Sequence, residues 1–151
     1  MDYELIYHSC ASENITPQDI TTIVRKGYVS NKAKNISGCL LVYYEEFLQI
    51  LEGEKDEVLA LYKHIAKDSR HHNPTIVHQG EISKRLFSSY TMAYRVILAL
   101  DIIELKDEMG VEEYEPILTT LQRPDLAKKL FGNVIHAVIH PEHIENQLSL
   151  K

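Results

Sequence analysis

Residues 39–51, with the sequence CLLVYYEEFLQIL, decide the fold. Two apolar runs, 39–44 and 47–51, are separated only by Glu45 and Glu46, which predicts a β-hairpin without the favoured turn glycine. Gln49 stands among apolar neighbours in the second run, and this run predicts a buried strand. An unpaired buried amide costs about 1 to 3 kcal/mol, so we expect a polar partner beside Gln49, either backbone or a ligand.

The segments on either side of this hairpin predict further elements. Thr16 supplies a helix N-cap and Pro17 suits the first helical position. Helical and alternating apolar spacing then indicate three strands and two helices. They are strands over 4–8, about 75–82 and about 90–97, and helices over about 17–34 and from Gly53 to near 68.

The resulting order, βαββαββ, predicts an α+β, ferredoxin-like sheet with two helices on one face. Pro116 and Pro124 each precede apolar residues, and the second segment ends at Gly132, which predicts two short helices near the C-terminus. We expect them to cover the other face of the sheet. The chain is therefore divided into a unit over 1–97 and a C-terminal helical extension over 98–151.

Composition excludes several classes of protein. The 151 residues carry 22 acidic and 16 basic side chains, a net charge of −6, which argues against nucleic acid or membrane as a partner. The first four residues carry acid where a signal peptide needs base, and no apolar run is long enough to span a membrane, so we expect a cytoplasmic protein. Cys10, in a predicted loop, and Cys39, in a predicted strand, are expected to be reduced thiols.

Three histidines near the C-terminus have the spacing of a metal site on a helix. His136, His140 and His143 follow i, i+4, i+7, but Pro141 breaks the helix that they would need. We therefore predict no metal.

A slot between the two helices is the candidate binding site. Ile23, Gly27, Ser30 and Asn31 lie on one stripe of the first helix. Leu61, Ile65 and Asp68 share a stripe of the second helix and face them. A flat ring between Ile23 and Ile65 would reach Gln49 at its edge, and a glycine in the slot permits close approach.

At these positions the chain resembles the BLUF domain, a flavin-binding blue-light photoreceptor module. The matching pieces occur in the family's order over residues 1 to about 97. They are LIYHS at 5–9, Asn31, NISG at 35–38, FLQILEG at 47–53, DSRH at 68–71 and SYTM at 89–92.

The resemblance implies roles for individual residues. Tyr7 would reduce the photoexcited flavin, and Gln49 would bridge the Tyr7 hydroxyl to the N5 and O4 edge of the ring. Asn31 would hydrogen-bond the C4 carbonyl and N3, and Ile23 and Ile65 would sandwich the isoalloxazine. The remaining residues would line the polar edge, the ribityl chain or the phosphate end; they are Ser30, Asp68, Arg70 and His71.

The last strand carries two further positions of interest. Met92 would sit on that strand close to Gln49. Tyr90 stands where many members of the family have tryptophan, so signalling schemes that need an indole there do not transfer to this chain.

Each of these residues also has an ordinary structural interpretation. Tyr7 and Met92 could be core residues, Asn31 a polar residue at a helix end, and Asp68 and Arg70 a surface ion pair. Their joint occurrence in the family's order favours flavin binding.

Three functions from different classes are considered. The first is a photoreceptor, not an enzyme, that binds FAD, with FMN or riboflavin as alternatives, and signals to a protein partner. The second is a ferredoxin-like enzyme, for which the chain lacks a nucleophile paired with a base. The third is a flavin-binding or other ligand-binding interaction module that does not respond to light. The resemblance further implies a homo-oligomer.

Overall fold

The computed structural model describes residues 1–97 and 123–138. These residues form five strands and three α-helices, which alternate in the order predicted. The elements are β1 (Asp2–Ala11), α1 (Pro17–Ala33), β2 (Ser37–Tyr43), β3 (Glu46–Gly53), α2 (Lys55–Ala66), β4 (His71–Ile82), β5 (Ala93–Val96) and α3 (Pro124–Val134), with a 3₁₀ turn over Ile135–Ala137.

The strands form one mixed sheet in the order β4-β1-β3-β2-β5. β3 pairs antiparallel with both β1 and β2, so β1–α1–β2 is a split βαβ unit with β3 in the gap. β4 pairs antiparallel with β1, and β5 pairs parallel with β2. This is the predicted α+β, ferredoxin-like fold with one added edge strand.

Both sheet-covering helices begin at side-chain caps that the sequence specifies. At α1 the Thr16 hydroxyl accepts from the Asp19 N–H at 3.1 Å, and the Asp19 carboxylate accepts from the Thr16 N–H at 2.8 Å. At α2 the Glu54 carboxylate accepts from the N–H groups of Asp56 and Glu57, both at 3.1 Å. These contacts satisfy amides that have no partner within the helix, which fixes where each helix starts.

The two faces of the sheet have separate cores. Tyr3, Leu5 and Leu51 pack with residues of α2, while Leu40 and Phe47 pack with residues of α1. On the opposite face a third cluster includes Ile6, Cys39, Leu41, Leu48, Ile50 and Ala93 with residues of α3. The prediction that a C-terminal helix covers this face is confirmed for α3; the helix predicted after Pro116 lies outside the described residues.

The hairpin turn consists of Tyr44 and Glu45, because Glu46 already belongs to β3 and pairs with Tyr43. Helix α2 begins at Lys55, because Gly53 is the last residue of β3.

Other sequence-based details are also wrong. Cys10 lies in β1, not in a loop, because Cys10 pairs with Glu46 and His72. β4 begins at His71, and a bulge opposite Ser9 accommodates Asn73, which has a positive φ of 54°, and Pro74.

Two more errors concern the C-terminal part. β5 begins only at Ala93, because the residues before Ala93 form turns, with the Tyr90 N–H bonded to the Phe87 carbonyl at 2.9 Å. α3 continues through Gly132 to Val134, since Leu130, Phe131 and Val134 are all buried against the sheet.

A long-range ion pair fastens α3 to β1. The Lys128 Nζ lies 2.8 Å from Glu4 Oε1, and the Glu4 side chain is only 2% exposed. His78 Nε2 on β4 lies 3.2 Å from the same oxygen. A nearly buried carboxylate requires such partners, so Glu4 ties the C-terminal helix to the centre of the sheet.

No helix among residues 1–97 and 123–138 combines the length and apolar composition that a membrane crossing requires. Cys10 and Cys39 are both free thiols, and Cys39 is buried.

Candidate functional site

A cavity of about 210 Å³ opens between α1 and α2 above the middle of the sheet. One water needs roughly 10 to 15 Å³ on the same measure, so the space is of ligand size. Residues from β1, α1, β2, β3, α2, the loop before β4, the first residue of β4 and the residue before β5 line the cavity. They are Tyr7, Ile23, Lys26, Gly27, Ser30, Asn31, Leu40, Phe47, Gln49, Leu61, His64, Ile65, Asp68, Arg70, His71 and Met92.

Gln49 meets its polar partner on the floor of this cavity. Tyr7 and Gln49 are directly opposite one another on β1 and β3, which places their side chains on the same face and within reach. The Tyr7 hydroxyl donates a hydrogen bond to Gln49 Oε1. The other end of the amide, Nε2, donates to Met92 Sδ at 3.5 Å. The expectation that Gln49 needs a polar partner is therefore confirmed, and the first partner is a phenol.

The Tyr7 phenol remains protonated across the ordinary pH range. Tyr7 is 3% exposed, and burial raises the pKa of the phenol well above its ordinary value of 10.0. The Tyr62 ring packs beside Tyr7, with 5.4 Å between the ring centroids. A neutral phenol is a hydrogen-bond donor, so Tyr7 holds the oxygen of the Gln49 amide toward β1.

Gln49 thus has one strong partner and one weak partner. A thioether is a weak acceptor and cannot donate, so turning the amide over would leave Gln49 Oε1 facing a sulfur with no proton to offer. The protein alone therefore favours the observed orientation. A stronger acceptor placed beside Nε2 would compete readily with Met92 for this N–H group.

Asn31 carries a buried oxygen that has no partner. The side chain is 2% exposed, and its Nδ2 donates to Met92 Sδ at 3.8 Å. Its Oδ1 has no hydrogen bond among residues 1–97 and 123–138. Leaving such an oxygen unpaired costs about 1 to 3 kcal/mol, so a donor from a bound ligand would relieve a real penalty.

The end of α2 forms the polar wall of the site. Arg70 Nε donates to the two carboxylate oxygens of Asp68 at 2.9 and 3.1 Å, and Arg70 Nη2 contacts Asp68 Oδ2. The Arg70 hydrogen bonds hold the pKa of Asp68 down at about 2, so Asp68 is ionised and matched by its neighbour. Ser12 bonds the carbonyl of Ser69 at 2.6 Å, which anchors this loop to the end of β1.

His71 is also fixed in place. Its Nε2 lies 2.6 Å from the Ile65 carbonyl and its Nδ1 lies 2.8 Å from Ser9 Oγ. The carbonyl can only accept, so Nε2 carries a proton and Nδ1 accepts from the serine in the neutral ring. His71 therefore supports the cavity wall by two directed bonds.

The structure brings all ten sequence-predicted site residues to one cavity. Ile23 on α1 and Ile65 on α2 face the slot from its two sides, as predicted. Met92 contacts Gln49 as predicted, but it lies one residue before β5 and not on the strand. Tyr90 lies elsewhere, because it packs against the core of the opposite face, 6.1 Å from the Phe87 ring.

Three cavity residues were not identified from the sequence. Leu40 is the cross-strand neighbour of Gln49 on β2, and only the pairing register places it there. Lys26 lies three residues after Ile23, and His64 lies three residues after Leu61. Residues three apart lie on the same face of a helix, so the sequence could have predicted that both side chains face the slot.

A flavin ring suits this set of groups. The isoalloxazine is flat, which fits a slot between two isoleucines. Its pyrimidine edge carries both an N–H donor and carbonyl acceptors, which suit the unpaired oxygen of Asn31 and the weakly held N–H of Gln49. The edge of a flavin ring is therefore complementary to the cavity at both Asn31 Oδ1 and Gln49 Nε2.

Comparison with known proteins agrees with the geometry. Residues 3–93 match the family model described as "BLUF: Sensors of blue-light using FAD". Photoactivated adenylate cyclase subunit beta of Euglena gracilis is 36% identical over 85 residues, which is 56% of this chain and 10% of the relative. The chain thus spans only about a tenth of the length of that relative.

Two solved structures are similar over most of the described fold. The photo-activated state of BlsA superposes with a TM-score of 0.78 at 26% identity, covering 91% of this chain and 96% of BlsA. Klebsiella pneumoniae BlrP1 with FMN and cyclic diGMP superposes with a TM-score of 0.58 at 28% identity, covering 64% of this chain and 26% of BlrP1. The family match, the fold and the cavity agree, and the chain belongs to the BLUF family of flavin-based blue-light sensors.

Proposed function

We propose that this chain is a blue-light photoreceptor in which Tyr7 and Gln49 form the switch beside a non-covalently bound flavin. The observation that carries the proposal is the hydrogen bond from the Tyr7 hydroxyl to Gln49 Oε1, buried at the floor of the cavity. A flavin, when bound, absorbs blue light and becomes a strong oxidant. The residues that would hold the flavin are Tyr7, Ile23, Ser30, Asn31, Gln49, Ile65, Asp68, Arg70 and His71.

Tyr7 would supply an electron and the phenolic proton. Its hydroxyl is already aimed at Gln49 Oε1, so the amide is placed to receive that proton. A phenol can give up both particles, and burial favours the neutral starting form.

The Gln49 amide would hold the light-induced change in hydrogen bonding. Its oxygen and nitrogen ends differ in hydrogen-bonding capacity, and rotation or tautomerisation of the amide exchanges them. Met92 holds the nitrogen end by one weak contact of 3.5 Å, so the hydrogen bond from Tyr7 to Oε1 is the main interaction that the exchange must break. Glutamate at position 49 would bring a charge and leucine would bring no polar group, so neither could act in this way.

The sheet would carry the signal to its opposite face. Leu48 and Ile50 flank Gln49 on β3 and pack in the cluster that contains Phe131 of α3. We propose residues 1–97 as the photosensory domain and 98–151 as the output extension, with α3 as its described part. The ion pair between Lys128 and Glu4 keeps α3 in contact with the strands that bear the switch.

A cofactor and a protein partner complete the proposed function. We propose FAD, as the family description indicates, with FMN and riboflavin as alternatives. We also propose that the chain is not itself an enzyme and that it signals to a protein partner. The relatives include a photoactivated adenylate cyclase subunit, of which this chain matches about a tenth, and the family description of residues 3–93 is that of a sensor. The predicted homo-oligomer and the cytoplasmic location stay predictions.

Spectroscopy tests the proposal. Purified protein should be yellow and should show a small reversible red shift of the flavin absorption under blue light. Tyr7→Phe should retain flavin and lose this shift, because phenylalanine offers neither the proton nor the hydrogen bond. Tyr62→Phe is the matched control, since its ring neighbours Tyr7 but does not bond Gln49, and this variant should still respond.

Three results would contradict the proposed function or part of it. A colourless protein would overturn flavin binding, and a yellow protein without the shift would indicate a ligand-binding module that does not respond to light. A normal light response in Tyr7→Phe would refute the role of Tyr7.

A further inference from the structure

Lys26 and His64 stand at the mouth of the cavity and have no role in the switch. Lys26 on α1 and His64 on α2 both line the cavity and are both exposed, as is Ser30. Tyr7 and Gln49, by contrast, are buried at the floor. A ligand whose ring lies at the floor would therefore have its flexible chain near the exposed residues Lys26, Ser30 and His64.

The other charged groups of the cavity already have partners. Asp68 and Arg70 bind each other through three side-chain contacts. Both nitrogens of the His71 ring are occupied by Ser9 and by the Ile65 carbonyl. Among the residues that the structure describes, Lys26 and His64 make no side-chain hydrogen bond or ion pair, so their donors remain available to a ligand.

The charge balance of the cavity favours an anion. The chain as a whole has a net charge of −6, yet the cavity lining contains the basic side chains Lys26 and Arg70 and one acid, Asp68. Because Arg70 and Asp68 offset each other, Lys26 leaves a local excess of positive charge within an acidic protein. The phosphate monoester of FMN has about −1.5 to −2 charges, and the pyrophosphate of FAD is also anionic. Both present several acceptor oxygens, which match a lysine and an imidazole N–H.

We propose that Lys26 and His64 form a phosphate subsite that makes this protein select flavins phosphorylated on the ribityl chain over riboflavin. This proposal rests on the proposed function, because it assumes that the isoalloxazine occupies the slot. FMN and FAD share the recognised group, a phosphate on the ribityl end, so both should benefit from the subsite. Lys26 supplies the charge and His64 supplies a directed hydrogen bond from the opposite helix.

The size of the effect follows from exposure. Both side chains are in contact with solvent, so each contributes modestly, and the contribution depends on salt. We expect wild-type protein to bind FMN and FAD about three- to tenfold more tightly than riboflavin at low ionic strength. Added salt should reduce this preference and leave riboflavin binding almost unaltered.

Titration of the flavin-free full chain with riboflavin, FMN and FAD, followed by quenching of flavin fluorescence, tests the subsite. Lys26→Ala should lower the ratio of FMN affinity to riboflavin affinity toward one, and Lys26→Glu should lower it further. His64→Ala should lower the ratio by a smaller factor. Lys32→Ala is the control, because Lys32 lies on the same helix over the Tyr28 ring and outside the cavity lining.

The riboflavin arm separates the failure of this proposal from failure of the flavin site itself. Equal affinity of wild-type protein for riboflavin and FMN would overturn the phosphate subsite while leaving flavin binding intact. Equal weakening of riboflavin and FMN by Lys26→Ala would also overturn it, since the loss would then not concern phosphate. Absence of binding by all three flavins would refute the proposed function and this subsite with it.

Discussion

Replacing Gly27 with alanine should raise the stability of the flavin-free protein and weaken its flavin binding. Gly27 lies inside α1, where glycine costs about 0.8 to 1 kcal/mol relative to alanine. An added Cβ would meet Met92 Cε and Cγ at 3.5 Å, which is ordinary contact, so the protein offers no opposing clash. Unfolding of the flavin-free variant should therefore occur roughly 2 to 4 °C higher.

The same methyl group would occupy ligand space. Gly27 and Met92 both line the cavity, so a Cβ between them narrows the slot that Ile23 and Ile65 bound. Overpacking of a fitted site costs typically 1 to 3 kcal/mol, which corresponds to a roughly 5- to 150-fold higher dissociation constant for flavin. Thermal unfolding without flavin and fluorescence titration with flavin measure the two effects separately.

Gly132→Ala provides the matched control. Gly132 is also a helical glycine, in α3, and an added Cβ there would meet nothing within 4 Å. This variant should gain similar stability and bind flavin as the wild type does. A Gly27→Ala protein that is less stable without flavin, or that binds flavin normally, would refute the reasoning about the slot.

Two further predictions concern charge. Lys128→Ala should lower the free energy of unfolding, measured by chemical denaturation, by about 1 to 3 kcal/mol, because it removes the 2.8 Å partner of the Glu4 carboxylate. Lys63→Ala, at an exposed position of α2, is the control and should change this free energy by less than about 0.5 kcal/mol. Equal effects of the two substitutions would contradict a stabilising role for the ion pair between Lys128 and Glu4. The Arg70 guanidinium lowers the pKa of Asp68 to about 2, so this group stabilises the fold above an unfolded pKa of about 3.9 and loses that contribution as the pH falls toward 2. Asp68→Asn should lower the free energy of unfolding at pH 7 by about 1 kcal/mol or less, because Asp68 is partly exposed. The free energy of unfolding of this variant should depend less on pH between about pH 4 and 2. An acid unfolding profile identical to that of the wild type would contradict the prediction.

Much of the fold was predictable because its signals are local. The cap at Thr16, the alternation in β3 and the helical stripes of α1 and α2 depend on neighbours within a few residues. The βαββαββ order then leaves few ways to arrange one sheet. The face on which Gln49 lies was predictable too, since strand side chains alternate strictly.

The errors arose where distant partners outweigh local preference. Asn73 and Pro74 predict a break, but pairing with the whole of β1 extends β4 across them by means of a bulge at the sheet edge. Gly132 predicts a helix end, but burial of Phe131 and Val134 against the sheet continues α3 beyond it. In both places long-range burial and pairing exceed the roughly 1 kcal/mol cost of the local residue.

The sequence by itself identified ten of the residues that line the candidate site, because ordered motifs identify a family even when their contacts are unknown. Only the tertiary structure decided how those residues meet. The Tyr7 hydroxyl bonds Gln49 Oε1 across 42 positions of the chain, Asn31 Oδ1 is left without a partner, and Lys128 reaches Glu4 across 124 positions. Such contacts depend on strand register and helix packing, which the whole chain settles together and which no short segment encodes.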